Sequence, residues 1–139
     1  MILVDTSVWI DFVRGTNTVA AAALHTLVAD GTPICIADIN VNEFMRGVVD
    51  DNDYYGFLED ILRFPVLSPQ GLETHLAAAQ IYRDCRRQGK TIRNSGDCLI
   101  AAIAIENDKT VLHNDADFDQ IASVVKDLRI VKPEGLIAG

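Results

Sequence analysis

Cysteine is sparse in this chain: Cys35, Cys85 and Cys98 are the only three, and no two form a C-x-x-C pair. That excludes a disulfide framework and a zinc ribbon, and predicts reduced, mostly buried thiols. Aromatic residues make up only 6% of the sequence, so the interior has to be built from Leu, Ile, Val and Ala. No apolar run approaches the roughly 18 residues of a membrane span. The opening MILVDTSVW has no basic residue ahead of its apolar run and meets an acid at position 5, unlike a secretory signal. A cytoplasmic protein with no membrane partner is expected. Histidine is scarce too, and His25, His75 and His113 lie too far apart in the chain to suggest a ligand cluster; structural roles are expected for them.

Positive charge is also in deficit, with 12 Lys and Arg against 20 Asp and Glu and a formal net charge of -8. Such a balance is unfavourable for binding phosphate backbones. The distribution is uneven, however: Arg83, Arg86, Arg87, Lys90 and Arg93 face a single acid, Asp84, within eleven positions. The predicted surface is polarised, with one locally basic stretch on an acidic body. The acid-rich segment from Asp50 to Asp53 reads as solvated charge.

What is abundant is aliphatic: 49% of the residues are hydrophobic and 23% charged, a composition that folds. A chain of 139 residues fits one compact domain, residues 1–139, that buries close to ~70% of its unfolded surface. Short, continuously apolar runs recur at Ile2–Val4, Pro33–Ala37, Phe64–Leu67, Thr110–Leu112 and Leu128–Val131, the pattern of strands buried on both faces of a parallel sheet. Helix-length segments separate them. One begins at about Ser7. A second carries Leu24, Leu27 and Val28 and is stopped by Gly31 and Pro33, and a third starts at Asp38 as N-cap and runs through Val41, Phe44, Met45 and Val48. The next carries an apolar face of Tyr54, Phe57, Leu58, Ile61 and Leu62. A longer helix from Pro69 to about Gln88 uses Leu72, Leu76, Ala79 and Tyr82 or Arg83 as its face, and the segment from Asp97 to Glu106 is apolar almost all round. The expected fold is α/β, a three-layer α/β/α sandwich around a central parallel five-stranded sheet with right-handed crossovers.

In open parallel sheets, ligands gather beyond the carboxyl ends of the strands, near the point where strand order reverses. Asp5 ends the first strand, Asp115 and Asp117 follow the fourth, Glu43 lies one turn into the helix after the second, and Asp97 opens the apolar helix that leads into the fourth. Singly, each has a plain structural reading as a helix cap, a helix-start charge or a turn former. Together, without a counterion, they would raise one another's pKa and destabilise the fold. Carboxylates with no His or Cys cluster select hard ions, Mg²⁺ or Mn²⁺, over Zn²⁺. Acids holding such ions are what phosphodiester hydrolysis requires. Thr6 and Ser7 can hydrogen-bond a bound water or a phosphate oxygen. Arg83, Arg86, Arg87, Lys90 and Arg93, at the end of the long helix and in the loop before Asp97, can hold phosphates on either side of the scissile bond.

Four segments, VDTSVWIDFVRG, NVNEFMRG, YRDCRRQGKTIRNSGDCLIAAIAIE and LHNDADFDQIA, resemble in order and spacing the PIN-domain toxins of the VapC type, from Met1 to about Ile130. The resemblance implies a PIN fold with a metal site of Asp5, Glu43, Asp97 and Asp115, with Asp117 as accessory acid, and endonucleolytic cleavage of structured RNA, transfer or ribosomal, in a single-stranded loop. It also implies a type II toxin–antitoxin pair: a homodimeric toxin silenced by a VapB-type antitoxin whose C-terminal segment lies across the site. Many relatives carry Thr where this chain has His113. Two other readings compete with the ribonuclease: a catalytically silent PIN-fold module that binds RNA or protein, and a nuclease acting on DNA. The silent module is disfavoured because every acid is retained. A phosphoryl-transfer domain with Asp5 as nucleophile ranks last, since it lacks a second adjacent acid and a strand-end Lys.

Overall fold

The computed structural model describes residues 1–137; the last two positions of the expected 1–139 domain lie outside the described residues. Five short strands form one all-parallel sheet: β1 (Ile2–Val4), β2 (Ile34–Ala37), β3 (Val66–Leu67), β4 (Thr110–Leu112) and β5 (Arg129–Val131). Their spatial order is β3-β2-β1-β4-β5. The chain runs outward from β1 through β2 to β3 on one side, then returns to the other side of β1 for β4 and β5. The reversal therefore lies between β1 and β4, paired in register at Ile2 with Thr110, Leu3 with Val111 and Val4 with Leu112.

Alternation of side chains along these strands feeds two cores. Leu3, Cys35, Ala37 and Val111 pack on one face with α5 (Leu72–Arg87), α6 (Ser95–Glu106) and α7 (Ala116–Val124). Val4, Ile34, Ile36 and Leu112 pack on the other with α1 (Thr6–Val13), α2 (Val19–Ala29), α3 (Asp38–Met45) and α4 (Asp51–Ile61). A last helix, α8 (Pro133–Ile137), lies against α2. This is the three-layer α/β/α arrangement expected, with every strand run recovered. Trp9 anchors the second core: it is fully buried and its indole N–H donates to the Val4 carbonyl at 3.0 Å, which satisfies its polar edge. All three cysteines are free and buried.

Several helix details differ from the sequence expectation. Ala37 occupies the cap position of α3, so Asp38 sits in the first turn, where its charge favours the helix dipole. The Asn40 side chain takes over the capping work, accepting from the Ala37 N–H at 3.3 Å. α5 begins at Leu72, after Gly71 at φ 150°, and Pro69 lies outside it. Its buried face is Thr74, Ala78, Ile81 and Cys85; Leu72 and Leu76 are 70% and 60% exposed and Ala79 faces solvent. Small residues win the inward face because α5 packs closely along α6, and the Thr74 hydroxyl is satisfied there by Glu106 at 2.8 Å. Leu62 falls just past the end of α4 and is exposed.

Candidate metal centre

Three of the five carboxylates expected at the sheet's carboxyl edge lie together there. Asp97, Asp115 and Asp117 each offer an oxygen, and these oxygens lie within 4.8 Å of one another. Asp97 is delivered by the first turn of α6, which Asn94 caps by accepting from the Gly96 N–H at 3.0 Å. It is thus the third residue of the helix rather than its opening one. Asp115 caps α7, accepting from the Asp117 N–H at 2.9 Å, and places Asp117 in that helix's first turn. The turn-former reading of Asp115 is therefore also true, and one short motif contributes two acids to one cluster.

Burial sets the electrostatics. Asp97 and Asp117 are each 2% exposed. The Asp97 carboxyl is pushed up to about 9, first by burial and then by the charges of Asp5, Asp115 and Asp117. Asp97 Oδ2 and Asp117 Oδ1 are buried with no hydrogen-bond partner. Arg93 Nε comes to 3.8 Å of Asp117 Oδ1, too far for a hydrogen bond, and its side chain is largely exposed. Orphaned carboxylate oxygens in a buried cluster are costly unless a cation satisfies them. The donor set is all oxygen: Cys98, beside Asp97, is a buried thiol pushed up to about 12, not a thiolate ligand. These residues fit a hard divalent ion.

Asp5 and Glu43 reach the cluster through an amide and hydroxyl network. Asp5, buried at the end of β1, accepts through Oδ2 from the Ser7 N–H at 3.1 Å and the Ser7 hydroxyl at 2.7 Å. Its Oδ1 accepts from Asn40 Nδ2 at 3.0 Å. Ser7 Oγ in turn accepts from the Asn114 N–H at 3.0 Å, which ties the loop after β4 to the end of β1. Glu43, half-buried on α3, accepts from Thr6 Oγ1 at 3.4 Å and from Asn94 Nδ2 at 3.1 Å. Gly96 permits this close approach, because a Cβ there would come within 3.0 Å of Asn94 Oδ1 and 3.2 Å of Ile39 Cδ1. Thr6 and Ser7 thus orient Glu43 and Asp5.

Asn40 and Asn94 were not foreseen. Asn40 is fully buried and also donates to Thr6 Oγ1 at 3.0 Å; its one sequence signal is the three-residue spacing to Glu43 on the same helix. His113 is fully buried behind the cluster. Its Nδ1 accepts from the Asp115 N–H at 3.1 Å, its ring packs on Phe118 at 5.1 Å, and burial holds its pKa below the usual value against the opposing pull of Asp119. The imidazole is therefore a neutral acceptor that fixes the turn carrying Asp115. The basic stretch divides: Arg93 and Asn94 give their backbone N–H groups to Asp117 Oδ2 at 3.1 and 3.3 Å, Lys90 is hydrogen-bonded to Ser123, and Arg87 is exposed.

Comparison with known proteins agrees with this geometry. Residues 2–124 match the model of the PIN domain. The chain is 38% identical over 125 residues to the VapC ribonuclease Mb1587 of Mycobacterium bovis, covering 89% of this chain and 93% of that protein. The ribonuclease VapC11 of Mycobacterium tuberculosis is similar to the same extent. Among solved structures, VapBC2 of Rickettsia felis bound to a promoter DNA fragment superposes with a TM-score of 0.74 at 20% identity, covering 95% of this chain and 98% of that one. DNA-bound VapBC of Salmonella typhimurium gives 0.75 at 19% identity, covering 96% and 99%. With the family model spanning most of the chain and the acids meeting at the strand ends, the chain belongs to the PIN-domain family, in its VapC branch.

Proposed function

We propose that this chain is a metal-dependent endoribonuclease, a single PIN domain acting as the toxin of a type II toxin–antitoxin pair. The observation that carries the reading is the cluster of buried Asp97 and Asp117 with half-buried Asp115, in which one oxygen each of Asp97 and Asp117 has no hydrogen-bond partner and needs a cation. Its support in kind comes from the VapC ribonucleases it resembles over most of its length. Asp97, Asp115 and Asp117 would hold the ion, Mg²⁺ or Mn²⁺, with Asp5 and Glu43 completing the acidic rim. When bound, such an ion supplies Lewis-acid charge to the phosphodiester and lowers the pKa of water, so that no general-base histidine is needed.

The chain's own residues do the positioning. Asn40 and Ser7 occupy both oxygens of Asp5 with donors, which fixes its rotamer. Thr6 and Asn94 likewise hold the two oxygens of Glu43 in place. The backbone of Arg93 and Asn94 holds Asp117 Oδ2, leaving Oδ1 unpartnered. Arg93, exposed beside the acids, would meet a substrate phosphate, with Arg87 and Lys90 as further phosphate contacts of this reading. RNA is the substrate class, a VapB-type antitoxin the protein partner, a homodimer the assembly and the cytoplasm the compartment. Among the described residues no helix is long and apolar enough to cross a membrane.

Incubation of the purified chain with structured RNA should give discrete fragments with Mg²⁺ or Mn²⁺ and none with a chelator, and Asp5→Asn and Asp97→Asn should each abolish the products. Undiminished cleavage by both variants in chelator would refute the reading. Cleavage of DNA in preference to RNA would move the chain to the alternative substrate.

A further inference from the structure

Behind the metal cluster stand two charged residues, Asp119 and Lys132. Among the described residues their side chains make no hydrogen bond or ion pair with the clustered acids; they meet each other and His113. His113 follows β4, Asp119 sits on α7 and Lys132 follows β5, so the three join two neighbouring strand ends to the helix that begins with Asp115 and Asp117. His113 is fully buried, and its Nδ1 accepts from the Asp115 N–H at 3.1 Å. A backbone N–H only donates, so Nδ1 is bare and the neutral ring carries its proton on Nε2. That Nε2 is buried with no hydrogen-bond partner. Asp119 Oδ1 faces it at 3.7 Å, about 0.5 Å beyond the ~3.2 Å reach of a hydrogen bond and near enough for a carboxylate to attract the N–H dipole. The other oxygen, Asp119 Oδ2, is held by Lys132 Nζ at 3.0 Å, which restrains the side chain from swinging out.

The position of that proton matters because of what hangs on the Asp115 N–H. Asp115 caps α7 and accepts from the Asp117 N–H at 2.9 Å, so one turn sets two of the three clustered carboxylates. A proton on Nδ1 would set donor against donor and strip the Asp115 N–H of its acceptor, which is costly in a buried turn. For an imidazole shielded from water, the partner of the far nitrogen decides which nitrogen is protonated. We propose that Asp119, braced by Lys132, is a positioning residue of the metal centre: by attracting the His113 Nε2–H it keeps Nδ1 an acceptor and fixes the turn that presents Asp115 and Asp117. This rests on the metal-centre reading for its functional sense. Asp119 acts through the ring, and not by its own charge on the ion.

The test combines nitrogen NMR in chelator with Mn²⁺ calorimetry. At neutral pH the parent should show His113 with a bare Nδ1 and a protonated Nε2. Asp119→Ala should move these signals toward the other tautomer and displace the Asp115 amide, whereas Asp119→Asn, whose amide oxygen can still accept at Nε2, should stay near the parent. Asp119→Ala should raise the Mn²⁺ Kd by roughly 10-fold; Asp119→Asn should keep most of the parent affinity, and Lys132→Met should weaken it less than Asp119→Ala does. In a His113→Leu background, Asp119→Ala should add less than about 2-fold, because the group it acts through is gone. Asp108→Asn, an exposed acid paired with Arg129 ahead of β4, should change neither readout. Equal losses in Asp119→Asn and Asp119→Ala, or an undiminished loss in the His113→Leu background, would show direct action of the charge and overturn the proposal. If His113→Leu does not fold, the comparison of Asp119→Asn with Asp119→Ala decides alone. A parent that binds no Mn²⁺ would refute the metal reading instead; the spectra in chelator then decide, displaced His113 and Asp115 signals in Asp119→Ala upholding the role of Asp119 and unchanged ones overturning it.

Discussion

Replacing Asp97 by asparagine is expected to stabilise the metal-free chain at neutral pH, even though it removes an acid from the proposed site. In the unfolded chain this carboxyl titrates near 3.8; in the folded chain burial and the neighbouring acids push it up to about 9. Between those values the folded state binds a proton that the unfolded state has released, so stability falls as pH rises. It is undiminished below about 3.8 and lost progressively up to about 9. At pH 7.5 the interval is about 3.7 units, which at 1.36 kcal/mol per unit sets the ceiling on the cost near 5 kcal/mol. That is a large part of the 5–15 kcal/mol typical of a whole domain. Asparagine is nearly isosteric, does not ionise, and can donate to Asp115 as a protonated carboxyl would. Urea unfolding of both proteins in chelator at pH 4.5, 6, 7.5 and 9 should show curves that nearly meet at the acid end and diverge with rising pH, the variant above. Adding Mn²⁺ at a hundred times its Kd should raise the parent by about 2.7 kcal/mol and leave the variant almost unmoved. Identical pH profiles in chelator, or a variant weaker than the parent at pH 9, would refute the reasoning that Asp97 is held protonated by its surroundings.

Two other perturbations probe the supporting residues. Asn40→Ala removes the donor to Asp5 and Thr6 and the acceptor for the Ala37 N–H; it should cost about 1–3 kcal/mol of stability, read by denaturant midpoint, and weaken Mn²⁺ binding, read by calorimetry. His113→Leu strips the acceptor from the Asp115 N–H and should weaken metal binding, whereas His113→Asn, which keeps an acceptor, should recover part of it. The same histidine has the opposite pH signature to Asp97: because its folded pKa lies below the unfolded 6.5, its contribution is present above about 6.5 and lost as pH falls through the folded value. Either variant should therefore flatten the acid limb of the stability curve, and an unchanged limb would show that His113 is not held neutral.

The strands were legible because each is a short apolar run, although burial on both faces holds only for the central β1, β2 and β4 while the edge strands β3 and β5 are partly exposed. The acids were legible because strand ends at a reversal of order collect function. The α5 face was misread for a specific reason. Leu72, Leu76 and Ala79 form one stripe at helical spacing, but Thr74, Ala78, Ile81 and Cys85 form another about 200° round the helix, and only the second meets α6. Thr74 looks polar in sequence and is satisfied inside by Glu106, a pairing 32 residues away that no local pattern reveals. Asn40 and Asn94 escaped notice because asparagine most often marks turns and caps, and Asn94 is indeed a cap; its second hydrogen bond, to Glu43, spans 51 residues. The charge run from Arg83 to Arg93 was visible, but charge patterning carries no side-chain direction. Helix phase turns Arg83 and Arg86 toward a cavity that α5 lines with α3 and α6, while Lys90 turns to Ser123.

The most direct measurement is an anomalous difference map from a crystal of this chain soaked in Mn²⁺. A peak coordinated by oxygens of Asp97, Asp115 and Asp117, absent in Asp97→Asn, is the predicted result. A well-ordered map with Mn²⁺ bound only elsewhere, and those three carboxylates uncoordinated, would contradict it.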